Sequence, residues 1–200
     1  MNRKITSKRE QIIQAAFEAV CSRGYYETRL DDIARRARVA KGTVYLYFQD
    51  KPDLYVGIIR WLISQAVTIV METDRQPLNA RAKLTMIYQI WTEKLRSYPG
   101  ALDLIFPEIS RKHCHLGQRF RESILPELHR LIDAVARIIK QGIKEHAFRP
   151  VEAELAALNF LNAFRSGLLL TSRYLQMKSA PEQALDLFFY GITLPAKGGK

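Results

Sequence analysis

The chain has almost no signal for β-structure. Alternating apolar and polar residues, the period of a half-buried strand, are nearly missing, which excludes the common sheet-based enzyme folds. Cysteine is scarce too: Cys21 and Cys114 are the only two in 200 residues. Their spacing matches neither a disulfide framework nor a zinc-ligand pair, and a reducing cytoplasmic setting suits them. There is no glycine-rich phosphate loop and no Gly-x-Ser-x-Gly turn, so nothing points to nucleotide hydrolysis or acyl transfer. The stretch Met1 to Glu10 is polar and basic, without the apolar stretch of a signal peptide. Uninterrupted apolar runs are short. The longest, Gly167 to Leu170, falls far below a bilayer-spanning length, so no membrane segment is expected. Acidic residues are also in deficit, with 20 Asp and Glu against 31 Lys and Arg, a net charge of +11. That imbalance suits a polyanion. Nucleic acid is the first candidate and an anionic membrane surface the second, while charge kept only for solubility is the reading without a partner.

What the sequence does have is helical periodicity, punctuated by Gly24, Asp50-Lys51-Pro52, Gln76-Pro77, Tyr98-Pro99-Gly100, Arg149-Pro150 and Ala180-Pro181. The pattern predicts an all-α protein of about nine helices, near 6–23, 30–37, 41–47, 51–74, 79–97, 101–113, 117–146, 152–176 and 182–193. Pro126 inside the seventh predicts a kink or a restart. Three short helices followed by long ones suggest a small head, residues 1–50, on a larger helical bundle, residues 51–200.

In the first helix, Ile13, Ala16, Phe17 and Val20 form one apolar stripe, and Gly24 stands where a helix-ending glycine belongs. Thr28-x-x-Asp31 reads as a capping box for the second helix, which turns Leu30, Ile33, Ala34 and Ala37 inward. Arg38-Val39-Ala40 is a short turn to the third helix, giving the helix-turn-helix pattern. At about 100° per residue, Val44 and Phe48 share the buried side, Gly42, Thr43 and Leu46 the opposite one, and Tyr45 and Tyr47 the flanks. A helix lying in a major groove needs that arrangement: small groups toward the base edges and hydroxyls toward the phosphate walls. The same tyrosines would also serve as packing at a domain junction. Asp50 and Asp53 read as caps of the fourth helix.

Ile13-x-x-Ala16, Gly24-Tyr25, Thr28, Asp32-Ile33-Ala34, Ala37-x-Val39, Lys41-Gly42-Thr43-Val44-Tyr45-x-Tyr47-Phe48 and Lys51-x-x-Leu54 together resemble the DNA-binding head of the TetR family of transcriptional repressors. The resemblance spans roughly residues 12–54, about a quarter of the chain, and many positions keep register. It implies that Thr28, Tyr45, Tyr47 and Lys51 contact phosphates of double-stranded DNA. It also implies that Lys41, Gly42 and Thr43 lie at base edges, with Leu46 against a thymine methyl. The chain departs from the family pattern in three places. Arg29 replaces a common Thr and adds a phosphate ligand. Arg38 replaces the usual turn glycine, at a cost of up to about 1 kcal/mol if its backbone is left-handed. Ala40 replaces a Ser cap, a loss of about 1 kcal/mol. Ahead of the motif, Arg3, Lys4, Lys8 and Arg9 suit either a DNA-contacting arm or a solvated tail.

Beyond the head no enzyme constellation is visible, and neither a cofactor nor a metal is expected. His113-Cys114-His115 is the one cluster of ligating types, and neighbouring residues on a helix point apart. Large apolar residues dominate, most of them core. The resemblance implies that some of Trp61, Tyr88, Trp91, Phe106, Phe120, Phe160 and Phe164 line a cavity for a small-molecule effector. The last two helices carry broad apolar faces, among them Leu161, Leu168, Leu185, Phe188, Phe189 and Ile192. These faces suit packing within the bundle. The resemblance implies instead a homodimer, whose heads would lie roughly 34–36 Å apart on a palindromic operator. The resulting expectation is a cytoplasmic, ligand-released repressor rather than an enzyme. An architectural DNA-binding protein and a small metalloprotein on His113 and His115 are the competing readings.

Overall fold

The computed structural model describes residues 7–98, 100–101, 117–170 and 181–193, with the side chains of 117–121 and 170 outside that set. The described chain is helical, as the sequence predicts: α1 (Lys8–Arg23), α2 (Leu30–Arg36), α3 (Lys41–Tyr47), α4 (Lys51–Asp74), α5 (Ala80–Arg96), α6 (Gly117–Lys144), α7 (Ala153–Leu170) and α8 (Pro181–Ile192). Among the described residues one antiparallel bridge joins Phe148 to Thr193. The helix expected over 101–113 lies almost wholly outside the described residues, and His113-Cys114-His115 lies wholly outside them.

Two compact units divide the chain: Met1–Ile63 with Tyr98–Pro126, and Ser64–Ser97 with Glu127–Lys200. In the first, Ser7 caps α1 by accepting from the Glu10 amide at 3.2 Å. Gly24 ends α1 with a φ of 88°, a conformation that favours glycine. Ile12, Ile13, Ala16, Phe17 and Val20 of α1 are buried, with Ile33 and Ala34 of α2, Val44 of α3, Phe48, and Leu54, Tyr55 and Ile58 of α4. The Phe17 ring meets Trp61 at 5.6 Å and Tyr98 at 4.8 Å between centroids.

The capping box expected at Thr28 does not form. The N-cap of α2 is Arg29, which makes no side-chain cap bond. Thr28 is 1% exposed, and its hydroxyl donates to the Gly24 carbonyl at 2.8 Å and the Ala19 carbonyl at 3.3 Å. Its one hydrogen is shared between two carbonyls at the end of α1, and in that orientation the oxygen accepts from no α2 amide. Ala40 leaves α3 without a side-chain cap, as its methyl must. Arg38 does adopt the left-handed conformation, with a φ of 53°.

The second unit has its own core: Leu84, Ile87, Tyr88 and Trp91 of α5, Val135, Ile138 and Ile139 of α6, Ala157 and Phe160 of α7, and Leu185, Phe188 and Phe189 of α8. Among its described residues the one deeply buried charge is Lys83, 5% exposed. The ammonium donates to the Asp74 carbonyl at 2.6 Å, the Asp74 carboxylate at 3.2 Å and the Gln141 side chain at 2.9 Å. Three donors on three acceptors satisfy it, which is what makes the burial tolerable.

α6 runs through Pro126 without ending, so the proline does not restart the helix. A proline in a helix interior costs about 3 kcal/mol. Burial of Ile124 and, farther along, of Leu131, Ile132, Val135, Ile138 and Ile139 offsets it. α4 is long and apolar enough to cross a bilayer by length and composition, although its apolar residues form no single uninterrupted run. Arg60 and the pair Ser64-Gln65 interrupt its apolar residues. Leu54, Tyr55, Val56, Ile58, Val67 and Val70 of that helix are buried inside the protein.

Candidate nucleic-acid interface

α3 is seven residues long and sorts its side chains sharply. Val44 and Phe48 are buried, whereas Leu46 is 82% exposed and Tyr45 and Tyr47 stand well out of the surface. Gly42 is exposed, and a methyl group built on it would meet nothing within 4 Å. Thr43 is half-buried beside it. A leucine held in water by the fold is a cost of roughly 1.5–3 kcal/mol relative to burial. Its neighbours on the same face are a bare glycine and two phenols, a composition suited to a partner surface with apolar and polar features.

Around this face the charges are arranged individually. Lys41, at the start of α3, pairs with Asp31 at 2.8 Å, both side chains exposed. The hydrogen bond to Asp31 raises the lysine pKa, so the ammonium stays charged. Arg29 is exposed at the start of α2. Lys51 is anchored by donating to the Tyr26 carbonyl at 3.1 Å, and it lies 4.6 Å over the Tyr25 ring. Partial burial there lowers its pKa, with Glu27 acting in the opposite sense. Tyr25 is itself buttressed edge-on by Tyr26 and Tyr55. At the start of α4 the Asp53 amide donates to the Asp50 carboxylate at 2.7 Å, and the Gln49 amide to the Asp53 carboxylate at 3.0 Å. The two aspartates thus cap the helix as the sequence suggests.

Arg29, Lys41, Gly42, Tyr45, Leu46 and Tyr47 are therefore all exposed, with Thr43 and Lys51 half-buried. Thr28 differs, since its hydroxyl is consumed inside the head. Two features escaped sequence reasoning: the Asp31–Lys41 pair and the tyrosine seat of Lys51. Ten residues separate Asp31 from Lys41, and only the angle between α2 and α3 brings them together. A small cleft of about 210 Å³ lies nearby, lined by Ala19, Arg23, Thr28, Asp32, Arg35 and Arg36. Its arginines are occupied: Arg23 and Arg35 share Asp32, and Arg36 pairs with Glu18.

In the second unit Tyr88, Trp91, Phe160 and Phe164 form a ring cluster with centroid separations from 5.2 to 6.4 Å. Trp61 instead packs on Phe17 in the first unit. Phe106 and the side chain of Phe120 lie outside the described residues. Leu168, Leu185, Phe188, Phe189 and Ile192 are buried, and Leu161 is half-buried. Phe188 meets Phe160 at 5.4 Å. Among the described residues no group of three or more ligating side chains is placed to hold a metal ion.

The profile of the family described as "Bacterial regulatory proteins, tetR family" matches residues 12–58, the segment that builds this face. Residues 12–58 are thus a DNA-binding domain of the TetR type, and the rest of the chain is similar to regulators that carry it. It is 28% identical over 136 residues to the fatty acid metabolism regulator protein of Bacillus subtilis, covering 68% of this chain and 70% of that one. Among solved structures, the transcriptional regulator FadR from Bacillus subtilis in complex with stearoyl-CoA shares its fold with a TM-score of 0.72 at 22% identity. That likeness covers 91% of this chain and 98% of the other. The regulatory protein TetR from Rhodobacter sphaeroides gives a TM-score of 0.75 at 17% identity, over 93% and 99% of the two chains. By the matched domain and these relatives the protein is a DNA-binding transcriptional regulator rather than an enzyme.

The Asp31–Lys41 pair makes a prediction of its own. Asp31→Asn frees the ammonium and removes a carboxylate from beside the exposed face of α3. DNA affinity should rise about threefold to tenfold at low salt, and less at high salt where exposed charges are screened. A binding titration at two salt concentrations reads this. A fall in affinity would mean that Asp31 is needed to aim Lys41.

Proposed function

We propose that this protein is a cytoplasmic repressor whose head, residues 1–50, reads a palindromic operator as half of a homodimer, and whose body, residues 51–200, binds an apolar effector that releases the DNA. The exposed face of α3 carries the reading. Gly42, Thr43 and Leu46 face the bases, Lys41 reaches them from the helix start, and Tyr45, Tyr47, Arg29 and Lys51 hold the phosphates. The buried Thr28 acts by fixing the end of α1 against α2. For the effector, the support is the ring cluster of Tyr88, Trp91, Phe160 and Phe164, together with a relative that regulates fatty acid metabolism and a fold neighbour solved with stearoyl-CoA. An acyl-CoA thioester is the effector class this favours. It releases DNA only by its differential affinity for two states of the protein.

For the dimer, α7 and α8 offer a face separate from their buried one. Leu155 and Leu158 are exposed on α7, and on α8 Leu187 is 73% and Tyr190 85% exposed. A second copy covers them in the proposed assembly. The double variant Leu187→Glu/Tyr190→Glu should sediment as a folded monomer and bind DNA more weakly, because its two heads no longer act as one bivalent ligand. An unchanged dimer would place the interface elsewhere.

The deciding experiment selects fragmented genomic DNA on the purified protein at near-physiological salt. A few palindromic sites, released by stearoyl-CoA and not by coenzyme A alone, are expected. Broad enrichment that vanishes with added salt would favour the architectural reading instead.

A further inference from the structure

The geometry of the α2–α3 turn points to Arg38 as a phosphate-binding residue of the DNA interface, for which the chain accepts a strained backbone; the inference rests on the DNA-binding reading above. Arg38 has a φ of 53°. Glycine takes this conformation without steric cost, whereas a Cβ crowds the following carbonyl. The strain is imposed from both sides of the turn: the Arg38 amide donates to the Arg35 carbonyl at 3.1 Å, and the Val39 amide to the Ala34 carbonyl at 3.0 Å. Asn or Asp would offset part of the cost by bonding to its own backbone, an option arginine lacks.

Nothing within the described protein compensates for the arginine. Its side chain is exposed, and no hydrogen bond or ion pair joins it to a described residue. The neighbouring charges are placed differently. Arg23 and Arg35 share Asp32, Arg36 holds Glu18 and Lys41 holds Asp31, so the nearby carboxylates of α1 and α2 are taken. Arg38 is left with no carboxylate partner among the described residues, three residues before Lys41 and on the approach to the exposed face of α3.

A residue kept in a costly conformation with no partner among the described residues is explained by a partner that arrives later. For a guanidinium at a DNA-binding surface that partner is a phosphate, which it clasps through two parallel hydrogen bonds. A contact of this kind adds affinity for any duplex and carries no sequence preference.

The test compares the full-length protein with Arg38→Gly and Arg38→Lys. Two probes serve: a duplex carrying a site recovered by the genomic selection, and a random duplex of equal length. Arg38→Gly should shift the urea midpoint upward while its affinity for both duplexes falls about fivefold to tenfold, with a salt slope shallower by about one per protomer. Arg38→Lys should keep most of the affinity and slope without gaining stability. Wild-type affinity and slope in Arg38→Gly would overturn the phosphate contact. Loss on the selected duplex alone would make Arg38 a base reader instead, and loss of stability in Arg38→Gly would remove the strain argument. Failure of the wild-type protein to bind either duplex would overturn the DNA-binding reading itself, before any variant is compared.

Discussion

Gly167→Ala is expected to cost the second unit about 2–3 kcal/mol, and Tyr88→Phe in the same chain to restore part of that loss. Gly167 lies inside α7, where alanine is intrinsically better than glycine by about 1 kcal/mol. The environment reverses the sign. A Cβ on Gly167 would stand 2.0 Å from the Tyr88 hydroxyl oxygen and 3.0 Å from the Pro181 carbonyl oxygen. The tyrosine cannot simply swing aside. Its hydroxyl donates to that same Pro181 carbonyl at 2.5 Å, and its ring meets Phe160 and Phe164 edge-on. Burial, aided by the Glu182 carboxylate, pushes the phenol pKa up to about 12, so the hydroxyl is protonated at neutral pH and available as a donor. Making room for the methyl therefore breaks a part-buried hydrogen bond and disturbs two ring contacts. Tyr88→Phe alone should cost about 1 kcal/mol, the usual worth of such a bond. In the double variant the hydroxyl oxygen is gone, and the nearest remaining atoms are the Pro181 carbonyl oxygen at 3.0 Å and Cζ of residue 88 at 3.3 Å. Urea unfolding of the four proteins should show the two costs to be less than additive by roughly 1 kcal/mol. Strict additivity would mean that the methyl does not meet the hydroxyl. Gly191→Ala is the control, since a methyl there meets nothing within 4 Å.

Gly42→Ala should separate stability from DNA binding. In the free protein the added methyl occupies open space, so the helix preference for alanine is uncompensated and the head should gain about 0.5–1 kcal/mol. Affinity for a selected operator should nevertheless fall about 10- to 100-fold, because a methyl forced into a close-packed contact costs roughly 1–3 kcal/mol. The measurement pairs a denaturation midpoint with a binding titration on the same preparation. A variant that is more stable and binds as well as wild type would show that α3 does not press its Gly42 side against the DNA. Loss of both properties would mean that the glycine serves the fold.

These two glycines mark where sequence reasoning ends. Gly42 was legible as a small residue on the outer side of a short helix, because the angular position of seven residues follows from 3.6 residues per turn. Gly167 read as the start of a short apolar run, and what approaches it is a tyrosine from α5, 79 positions earlier in the sequence and brought there by packing. α8 makes the same point. Its sequence shows apolar residues at 185, 187, 188, 189, 190 and 192, more than one helix face holds. Packing against its own unit took Leu185, Phe188, Phe189 and Ile192 and left Leu187 and Tyr190 in solvent. No periodicity chooses between two apolar faces of one helix.

The sequence alone determined the described helices, since apolar spacing and helix-breaking residues are local. It also determined the head, where Val44 and Phe48 turned inward oblige Leu46, Tyr45 and Tyr47 to turn out. Tertiary structure decided what each polar group was free to do. Thr28 had a hydroxyl suited to a cap or a phosphate, and the nearness of the Gly24 and Ala19 carbonyls settled it inside the head. Lys41 received Asp31, and Lys51 a seat on Tyr25, while Arg38 received no described partner. Hydrogen bonds and ion pairs act over about 3–4 Å and link residues far apart in sequence, so they are settled only when helices pack.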